Sequence, residues 1–200
     1  MILRRCFHGT TFLSTKRNIK LPKDPTSTVY KGRLFEWQTL QAFEMLGMQL
    51  EHIGGKSDGG LDLKGEWCLI DNNIPVVVQC KNVKNGCTPD HLRGLLGATV
   101  NLNMERQTLG ILVSGSSKTT FTPDTMTLFN QSSLPLGLAR VCDTMLQALV
   151  LNHAAQQWLD INIHLRFDPL GRLLPPPLIL SADGRQVVQS SLLKNSITTS

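Results

Sequence analysis

Long hydrophobic runs are missing from this sequence of 200 residues. The most apolar region, LPLGLARVCDTMLQALVL, is interrupted by Arg140 and Asp143, so no stretch of about 18 uncharged apolar residues is present. A membrane-spanning helix is therefore not expected. Internal repeats are missing as well, and a proline triplet at 175–177 is the one compositionally biased tract.

Motifs of several common chemistries are also missing. The five cysteines form no CxxC pair and no Cys/His spacing typical of zinc, so we expect reduced thiols with structural or incidental roles. Neither a GxxxxGKS/T phosphate-binding loop nor a GxSxG nucleophile elbow occurs. The sequence therefore argues against P-loop nucleotide chemistry and against a serine hydrolase.

Acidic residues are missing from the first 23 positions, which contain six of the 20 basic residues. The rest of the chain has 14 basic and 15 acidic residues, so the net charge of +5 arises entirely at the N-terminus. The remainder lacks the overall basic charge of a strong non-specific nucleic-acid binder. Local basic patches near a site remain compatible with this composition.

The N-terminal segment MILRRCFHGTTFLSTKRNIK is similar to an organelle presequence, with basic and hydroxyl residues and no acids. Its cationic character predicts import into the negative-inside mitochondrial matrix. A basic N-terminus without a targeting role is the alternative. We divide the chain into a presequence at 1–23, a core at 24–150 and a proline-rich C-terminal extension at 151–200.

Strands and helices are predicted to alternate along the core. Residues 30–50 are typical of a helix, with Glu36 on a partly apolar face and a short strand at 48–53. Further strands are predicted at 61–67, 74–82, 108–116 and 134–143. Further helices are predicted at 88–103, 122–132 and 144–159. This order indicates an α/β fold with parallel neighbouring strands, followed by a hairpin at 161–174 and an extended proline segment at 173–180.

Two neighbouring strands carry the polar residues of greatest interest. Alternation in the first strand predicts Asp62 on the face opposite its apolar residues, Leu61, Leu63 and Trp67. In the second strand, Val77, Gln79 and Lys81 share a face. Antiparallel pairing would bring Asp62 toward Gln79 and Lys81. Each residue alone is commonly a turn or edge residue, so the prediction depends on their joint occurrence.

This residue set suits the hydrolysis of phosphodiesters. A hard divalent cation prefers oxygen ligands, which Asp62, the Gln79 amide and the Cys80 backbone carbonyl can provide. The Lys81 ammonium can hold a water molecule or counter the charge that develops on phosphorus. Glu36, from the preceding helix, can assist through water. The predicted cofactor is Mg²⁺ or Mn²⁺.

The same residues carry a family resemblance. The motifs are Gly32-x-x-Phe35-Glu36, Asp58-Gly59-Gly60-Leu61-Asp62, Gln79-Cys80-Lys81 and GILVSGSSKTTFTPDT. Over roughly residues 30–140 the sequence resembles the Mrr-like branch of the restriction-endonuclease-like, PD-(D/E)xK nucleases. With its basic N-terminus, the sequence is similar to the fungal mitochondrial family called required for respiratory growth protein seven.

The resemblance implies a restriction-endonuclease-like fold, a central mixed sheet flanked by helices. It implies Mg²⁺-dependent cleavage of DNA in mitochondrial genome maintenance, with catalytic roles for Glu36, Asp62, Gln79 and Lys81. Gln79 departs from the wider superfamily, which has a carboxylate there. A catalytically inactive module that binds nucleic acid or a protein partner is the alternative, and a resolvase-like subunit that needs a partner chain is a third interpretation. The expected partners are DNA and a second copy of the chain.

Overall fold

A computed structural model of the chain describes residues 19–53, 59–69, 73–116, 118–159, 161–182 and 185–186. Most of the predicted presequence therefore lies outside the described residues, as do 54–58 of the glycine-rich turn and 187–200 of the C-terminal extension. The division into presequence, core and extension stays a prediction.

A six-stranded mixed sheet forms the centre of the structure, with its strands in chain order. Its strands are β1 Met48–His52, β2 Leu63–Cys68, β3 Asn73–Lys81, β4 Leu109–Ser114, β5 Leu136–Cys142 and β6 Met145–Leu151. Strands β3, β4 and β5 are parallel, and the other neighbours are antiparallel. The predicted α/β architecture with parallel neighbours is confirmed.

Helices cover both faces of this sheet. They are α1 Thr28–Glu44, α2 Pro89–Glu105, α3 Pro123–Gln131 and α4 His153–Trp158. Helices α2 and α3 connect the parallel strands, as parallel pairing requires a crossover. The described helices include none long and apolar enough to cross a membrane.

Each face of the sheet has its own hydrophobic cluster. The α1 cluster includes Phe43, Val76 and Val78, and the α2 cluster includes Val77 and Leu112. Odd and even residues of β3 therefore point to opposite faces, as strand pleating dictates. Strand β4 is buried along its whole length, as expected for a central strand that helices cover on both sides.

A second, three-stranded sheet follows the first. It consists of β7 Ile161–Phe167, β8 Leu173–Ala182 and β9 Arg185–Gln186, and β8 lies beside β6. The antiparallel pairing of β7 with β8 confirms the predicted hairpin, and the proline triplet is extended within β8. Residues at the start of the predicted extension also belong to the main core, since Leu151, Ala155 and Leu159 are buried in the α1 cluster.

The helix predicted at 144–159 is wrong over its first half. Residues Met145–Leu151 form β6, which pairs antiparallel with β5 through a tight turn at Asp143 and Thr144. Asp143 adopts a left-handed backbone with φ of 54°, a conformation that aspartate tolerates better than most residues. A run of apolar residues fits either structure, and here pairing with β5 decides.

The predicted shared face of Leu61, Leu63 and Trp67 is also wrong. Leu63 and Trp67 are buried in the α1 cluster, whereas Leu61 is buried in the α2 cluster. The physical reason is that β2 begins at Leu63, so the pleat alternation does not extend back to Leu61.

Candidate active site

The carboxyl end of β3 presents Gln79 and Lys81 on the face covered by α2. Val77, two residues earlier, belongs to the α2 cluster, and Gly94 of α2 lies against the Gln79 amide. A Cβ at Gly94 would lie 3.8 Å from Gln79 Nε2 and 3.9 Å from Oε1. The structure thus confirms that Val77, Gln79 and Lys81 share a face.

The Gln79 side chain is buried, with 5% of its surface exposed. Its Nε2 donates to the Gly60 carbonyl at 2.9 Å. Gly60 has φ of 81°, and a Cβ there would lie 3.0 Å from the same Nε2. Because a glutamate could not donate to this carbonyl at neutral pH, the contact explains why an amide stands at this position.

The other atom of this amide, Oε1, is buried and has no hydrogen-bond partner among the described residues. A buried acceptor without a partner costs about 1–3 kcal/mol. Such an atom indicates a site for a donor or a cation. Among the four predicted site residues, Gln79 gives the clearest structural sign of a ligand.

Asp62 is held by three hydrogen bonds to two backbone segments, β3 and the residue that follows β1. Its Oδ2 accepts from the Cys80 N–H at 2.7 Å, and its own N–H donates to the Val78 carbonyl at 2.9 Å. Its carbonyl accepts from the Ile53 N–H at 3.0 Å. Asp62 is therefore a fixed anion at the point where β2 meets β3. A carboxylate has acceptor sites beyond the one that this hydrogen bond uses.

The backbone carbonyl of Cys80 faces the same side as Asp62. The Lys81 carbonyl accepts from the Gly115 N–H at 3.1 Å, on the β4 side of the strand. Successive carbonyls of a strand alternate in direction, so that of Cys80 is directed toward β2. The Cys80 carbonyl is thus directed toward the strand edge where the Asp62 carboxylate accepts from the Cys80 N–H.

The Cys80 thiol points to the opposite face and packs against the α1 cluster. Burial raises its pKa well above 9.0, and the negative charges of Asp62 and Glu36 add to the effect. The Thr39 hydroxyl and the Lys81 ammonium act in the opposite direction on this pKa. The thiol is thus protonated at neutral pH.

Glu36 of α1 pairs with a histidine of β1 on the face of the sheet that α1 covers, opposite the face of Gln79 and Lys81. Glu36 Oε2 lies 2.8 Å from His52 Nε2, and the two side chains are 16% and 19% exposed. His52 of β1 is the register partner of Leu63 in β2, and Leu63 directly follows Asp62 in the chain. The sequence predicts only a structural or surface role for His52. Its link to Glu36 depends on the fold, and the sequence pattern carries no signal for it.

Lys81 lies near His91 of α2, the helix that follows it. Burial lowers the pKa of His91, and the positive charge of Lys81 lowers it further. His91 Nδ1 accepts from the Thr88 N–H at 3.0 Å, so the neutral ring carries its proton on Nε2. No carboxylate of the described residues lies within 4.0 Å of the Lys81 ammonium.

Other basic residues near the site in the sequence are partly neutralised by acids. Lys64 lies 4.0 Å from a Glu51 oxygen, and Arg93 binds Asp90 at 2.7 Å. Lys56 lies outside the described residues. Lys81 lies two residues after Gln79 on the same strand.

The described residues contain no group of three His, Cys, Asp or Glu side chains arranged to hold a metal ion. A Mg²⁺ ion needs fewer such ligands, because it usually keeps several waters and takes only one or two carboxylates. Asp62, the Cys80 carbonyl and Gln79 Oε1 fit that requirement, and the last of these is the buried acceptor without a partner. The donor set is compatible with Mg²⁺.

The fold and the site together define an α/β protein whose mixed six-stranded sheet gathers a carboxylate, an amide and an ammonium at the end of β3. The chain belongs to the family described as Required for respiratory growth protein 7, whose model matches residues 27–75 and 68–166. No solved structure matches the chain.

Relatives of the chain are mitochondrial proteins by name. An uncharacterized mitochondrial protein of Schizosaccharomyces pombe is 34% identical over 133 residues, which is 64% of this chain and 52% of the relative. The Required for respiratory growth protein 7 of Vanderwaltozyma polyspora is 25% identical over 66% of this chain and 69% of the relative. That of Saccharomyces cerevisiae is 28% identical over 58% and 66%.

The chain thus spans about half the length of the Schizosaccharomyces pombe relative and about two thirds of the others. The names of these relatives support the mitochondrial localisation that the N-terminal composition predicts. They also support a role connected with respiratory growth.

Proposed function

We propose that this protein is a mitochondrial nuclease that hydrolyses DNA phosphodiester bonds with Mg²⁺ or Mn²⁺, in support of genome maintenance and respiratory growth. One observation carries the proposal. Gln79 Oε1 is buried without a partner in the described structure, beside the Cys80 backbone that holds Asp62 at 2.7 Å. A cation between these oxygens would satisfy the amide.

The proposed roles follow from the chemistry of each side chain. Asp62, fixed by the Cys80 N–H, would hold the cation, with the Gln79 amide and the Cys80 carbonyl as neutral ligands. When bound, the cation supplies neutralisation of the phosphate and lowers the pKa of nearby water. Lys81 would stabilise the negative charge that develops on the phosphoryl oxygens. Glu36, oriented by His52, would assist through hydrogen bonds with water.

The resemblance to the Mrr-like PD-(D/E)xK nucleases agrees with this assignment of roles. The mixed sheet, with α1 on one face and parallel crossovers on the other, is the architecture that the resemblance implies. The restriction-endonuclease-like fold and the nuclease activity are both parts of the proposal.

Cleavage assays test this function directly. The purified chain should cut DNA in the presence of Mg²⁺ and stop when EDTA is added. Single-stranded, duplex and branched substrates should all be offered, because the site geometry does not select among them. Asp62→Asn and Lys81→Met should each lower the rate at least 100-fold, in the range typical for loss of an electrostatic catalytic group.

A matched control uses the neighbouring strand. Lys64→Met removes one exposed ammonium that lies 4.0 Å from a Glu51 oxygen, and it should retain the wild-type rate. Equal losses in the Lys64 and Lys81 variants would show that only overall charge matters. Failure of the wild-type protein to cut any substrate would reject the proposal.

A module without catalytic activity is the second candidate. It is favoured by the hydrogen bond from Gln79 Nε2 to the Gly60 carbonyl, which gives the amide a structural role. Because residue 79 is an amide, Asp62 is the one carboxylate next to it. A phosphodiester-binding or protein-binding module would not need the Lys81 ammonium for chemistry. Cells that carry Lys81→Ala would then keep respiratory growth, whereas the nuclease proposal expects them to lose it.

A further inference from the structure

Helix α2 presents a glycine directly over the Gln79 amide. Gly94 lies in the interior of this helix and is exposed. A Cβ at Gly94 would lie 3.8 Å from Gln79 Nε2 and 3.9 Å from Oε1, and these two are the described atoms within 4 Å of it. At this point of α2, the amide is therefore covered by glycine backbone alone.

A pair of glycines borders the same amide from the turn before β2. The Gly60 carbonyl accepts from Gln79 Nε2 at 2.9 Å, and a Cβ at Gly59 would lie 3.5 Å from the Ala98 Cβ of α2. Ala98 lies four residues after Gly94, on the same face of the helix. The turn and the helix thus both border the amide. We name Gly60, Gln79 and Gly94 the glycine gap.

Packing explains one of the two glycines that contact the amide but not the other. Gly60 has φ of 81°, so its backbone conformation favours glycine. Gly94 is helical, and its 3.8 and 3.9 Å distances are ordinary van der Waals contacts, so an alanine fits there. Alanine would also favour the helix. Gly97 is equally replaceable, so a helical glycine alone marks no site. The amide beneath Gly94 distinguishes it from Gly97.

The space beside this amide matches the shell of a hydrated cation. Gln79 is 5% exposed, and its Oε1 has no hydrogen-bond partner among the described residues. When Mg²⁺ binds an oxygen at about 2.1 Å, the other ligands of its octahedral shell lie about 3–4 Å from that oxygen. A Cβ at residue 94 would lie 3.9 Å from Oε1, at the same distance. A side chain there would compete with the waters of the shell.

We propose that Gly94 keeps the glycine gap open for a hydrated divalent cation at Gln79 Oε1, so that the absence of a side chain at residue 94 sets the affinity for the ion. The inference rests on the proposed function, because it concerns the same cation. Gly94 provides no ligand in this arrangement and contacts no reacting atom. It leaves space for the waters that Mg²⁺ retains when a protein binds it.

Mn²⁺ binding tests this role without relying on cleavage. The full 200-residue chain is titrated with Mn²⁺ alone, and the free ion is measured by electron paramagnetic resonance. Gly94→Ala should raise the Kd about tenfold, because its methyl group displaces a water that it cannot replace as a ligand. Gly97→Ala is the matched control and should retain the wild-type Kd, because a Cβ there meets no described atom within 4 Å.

Two further measurements make the result specific. Without metal, both alanine variants should unfold at or above the wild-type midpoint, because alanine favours the helix. Should Gly94→Ala fail to fold by circular dichroism, NMR of the wild-type chain replaces it. Mn²⁺ should then broaden the amide signal of Gly94 before that of Gly97, which lies three residues farther along α2. Asp62→Asn should abolish this broadening and the binding.

The outcomes separate the inference from the proposed function. Equal Kd values for Gly94→Ala and Gly97→Ala would overturn the role of Gly94, even if the wild-type protein cuts DNA. A Kd that depends on Gly94 and Asp62 in a protein that never cuts would support the glycine gap and reject the nuclease. Binding that Asp62→Asn retains would place the ion elsewhere and overturn the inference. A wild-type chain that binds no Mn²⁺ would overturn both.

Discussion

His91 holds the start of α2 through its ring nitrogen and has a lowered pKa. Burial is the main cause, so the folded protein binds a proton on this ring less readily than the unfolded chain. The stability contributed by the neutral ring is complete above about pH 6.5 and declines as the pH falls toward the lower folded pKa. We expect His91→Gln to reduce this decline, as measured by denaturant midpoints between pH 8 and pH 5.

Glutamine is the suitable replacement because its side-chain oxygen can still accept from the Thr88 N–H, as in a capping box. His153→Gln is the matched control, since His153 is exposed at the start of α4. The control should follow the wild-type pH dependence. An unchanged pH profile in His91→Gln would contradict the assigned cause.

Asn152 is a buried polar residue that joins three elements. Its Oδ1 accepts from the Leu136 and Ala155 N–H groups, each at 3.0 Å. Its Nδ2 donates to the Phe129, Ser132 and Leu134 carbonyls at 3.4, 3.2 and 2.9 Å. Asn152→Ala leaves these groups without partners and should cost about 2–4 kcal/mol of unfolding free energy.

Denaturant unfolding measures this loss, with Asn101→Ala on the exposed face of α2 as the control. The control should change the unfolding free energy by less than about 0.5 kcal/mol. A loss in Asn152→Ala as small as that of Asn101→Ala would show that water replaces the asparagine amide.

For individual residues, strand alternation predicts the shared face of Gln79 and Lys81 correctly, because the pleating of a strand is a local property. The contact of Glu36 with His52 joins residues 16 positions apart, on a helix and a strand. The partners of Asn152 lie up to 23 positions away. Such contacts depend on how elements pack, and no local pattern encodes them.

Strands β1 and β2 approach closely at Gly65. A Cβ at this residue would lie 2.0 Å from the Gln49 carbonyl oxygen, which belongs to the paired backbone and cannot move aside. Gly65→Ala should therefore cost about 3 kcal/mol, near the upper end for overpacking. The decrease in the midpoint of thermal or denaturant unfolding measures this cost.

Gly97 of α2 provides the opposite case. A Cβ there meets nothing within 4 Å, and the residue is exposed in the middle of a helix. Gly97→Ala should stabilise the protein by about 0.5–1 kcal/mol, since glycine loses more backbone entropy in a helix. If Gly65→Ala and Gly97→Ala were equally stable, the close approach of β1 to β2 would be wrong.

Among the elements, α2 and α3 are predicted well because each begins with Thr-Pro-Asp, a strong local start signal. Strand β6 is missed because its apolar run lacks a strict period of two or 3.6 residues. Its conformation is decided by the two-residue turn and by pairing with β5. Long-range pairing of this kind lies beyond what a window of sequence contains.

A bound cation would stabilise the whole molecule. At a Mg²⁺ concentration tenfold above Kd, binding to the native state alone adds about 1.4 kcal/mol to the unfolding free energy. The wild-type midpoint should rise accordingly with Mg²⁺, and Asp62→Asn should abolish the rise. Thermal denaturation with and without Mg²⁺ measures both.

Gln79→Glu gives a sharper test of the same site. The introduced carboxylate would be buried beside the Gly60 carbonyl, so its pKa should rise and stability should fall as the pH increases above about 4.3. Mg²⁺ should restore more stability to this variant than to wild type at pH 8. Gln107→Glu, at an exposed position, should show neither effect. No difference between the two variants would argue against a cation beside residue 79.

The segments before α2 and α3 are joined at Cys87. The Cys87 N–H donates to the Thr120 carbonyl at 2.9 Å, and the Cys87 carbonyl accepts from the Thr122 N–H at 3.1 Å and the Thr125 hydroxyl at 2.9 Å. Neither amide can exchange its hydrogen with deuterated solvent until the two segments separate. The Cys87 and Thr122 amides should therefore exchange together and slowly, so that the region beyond Lys81 opens as one cooperative unit.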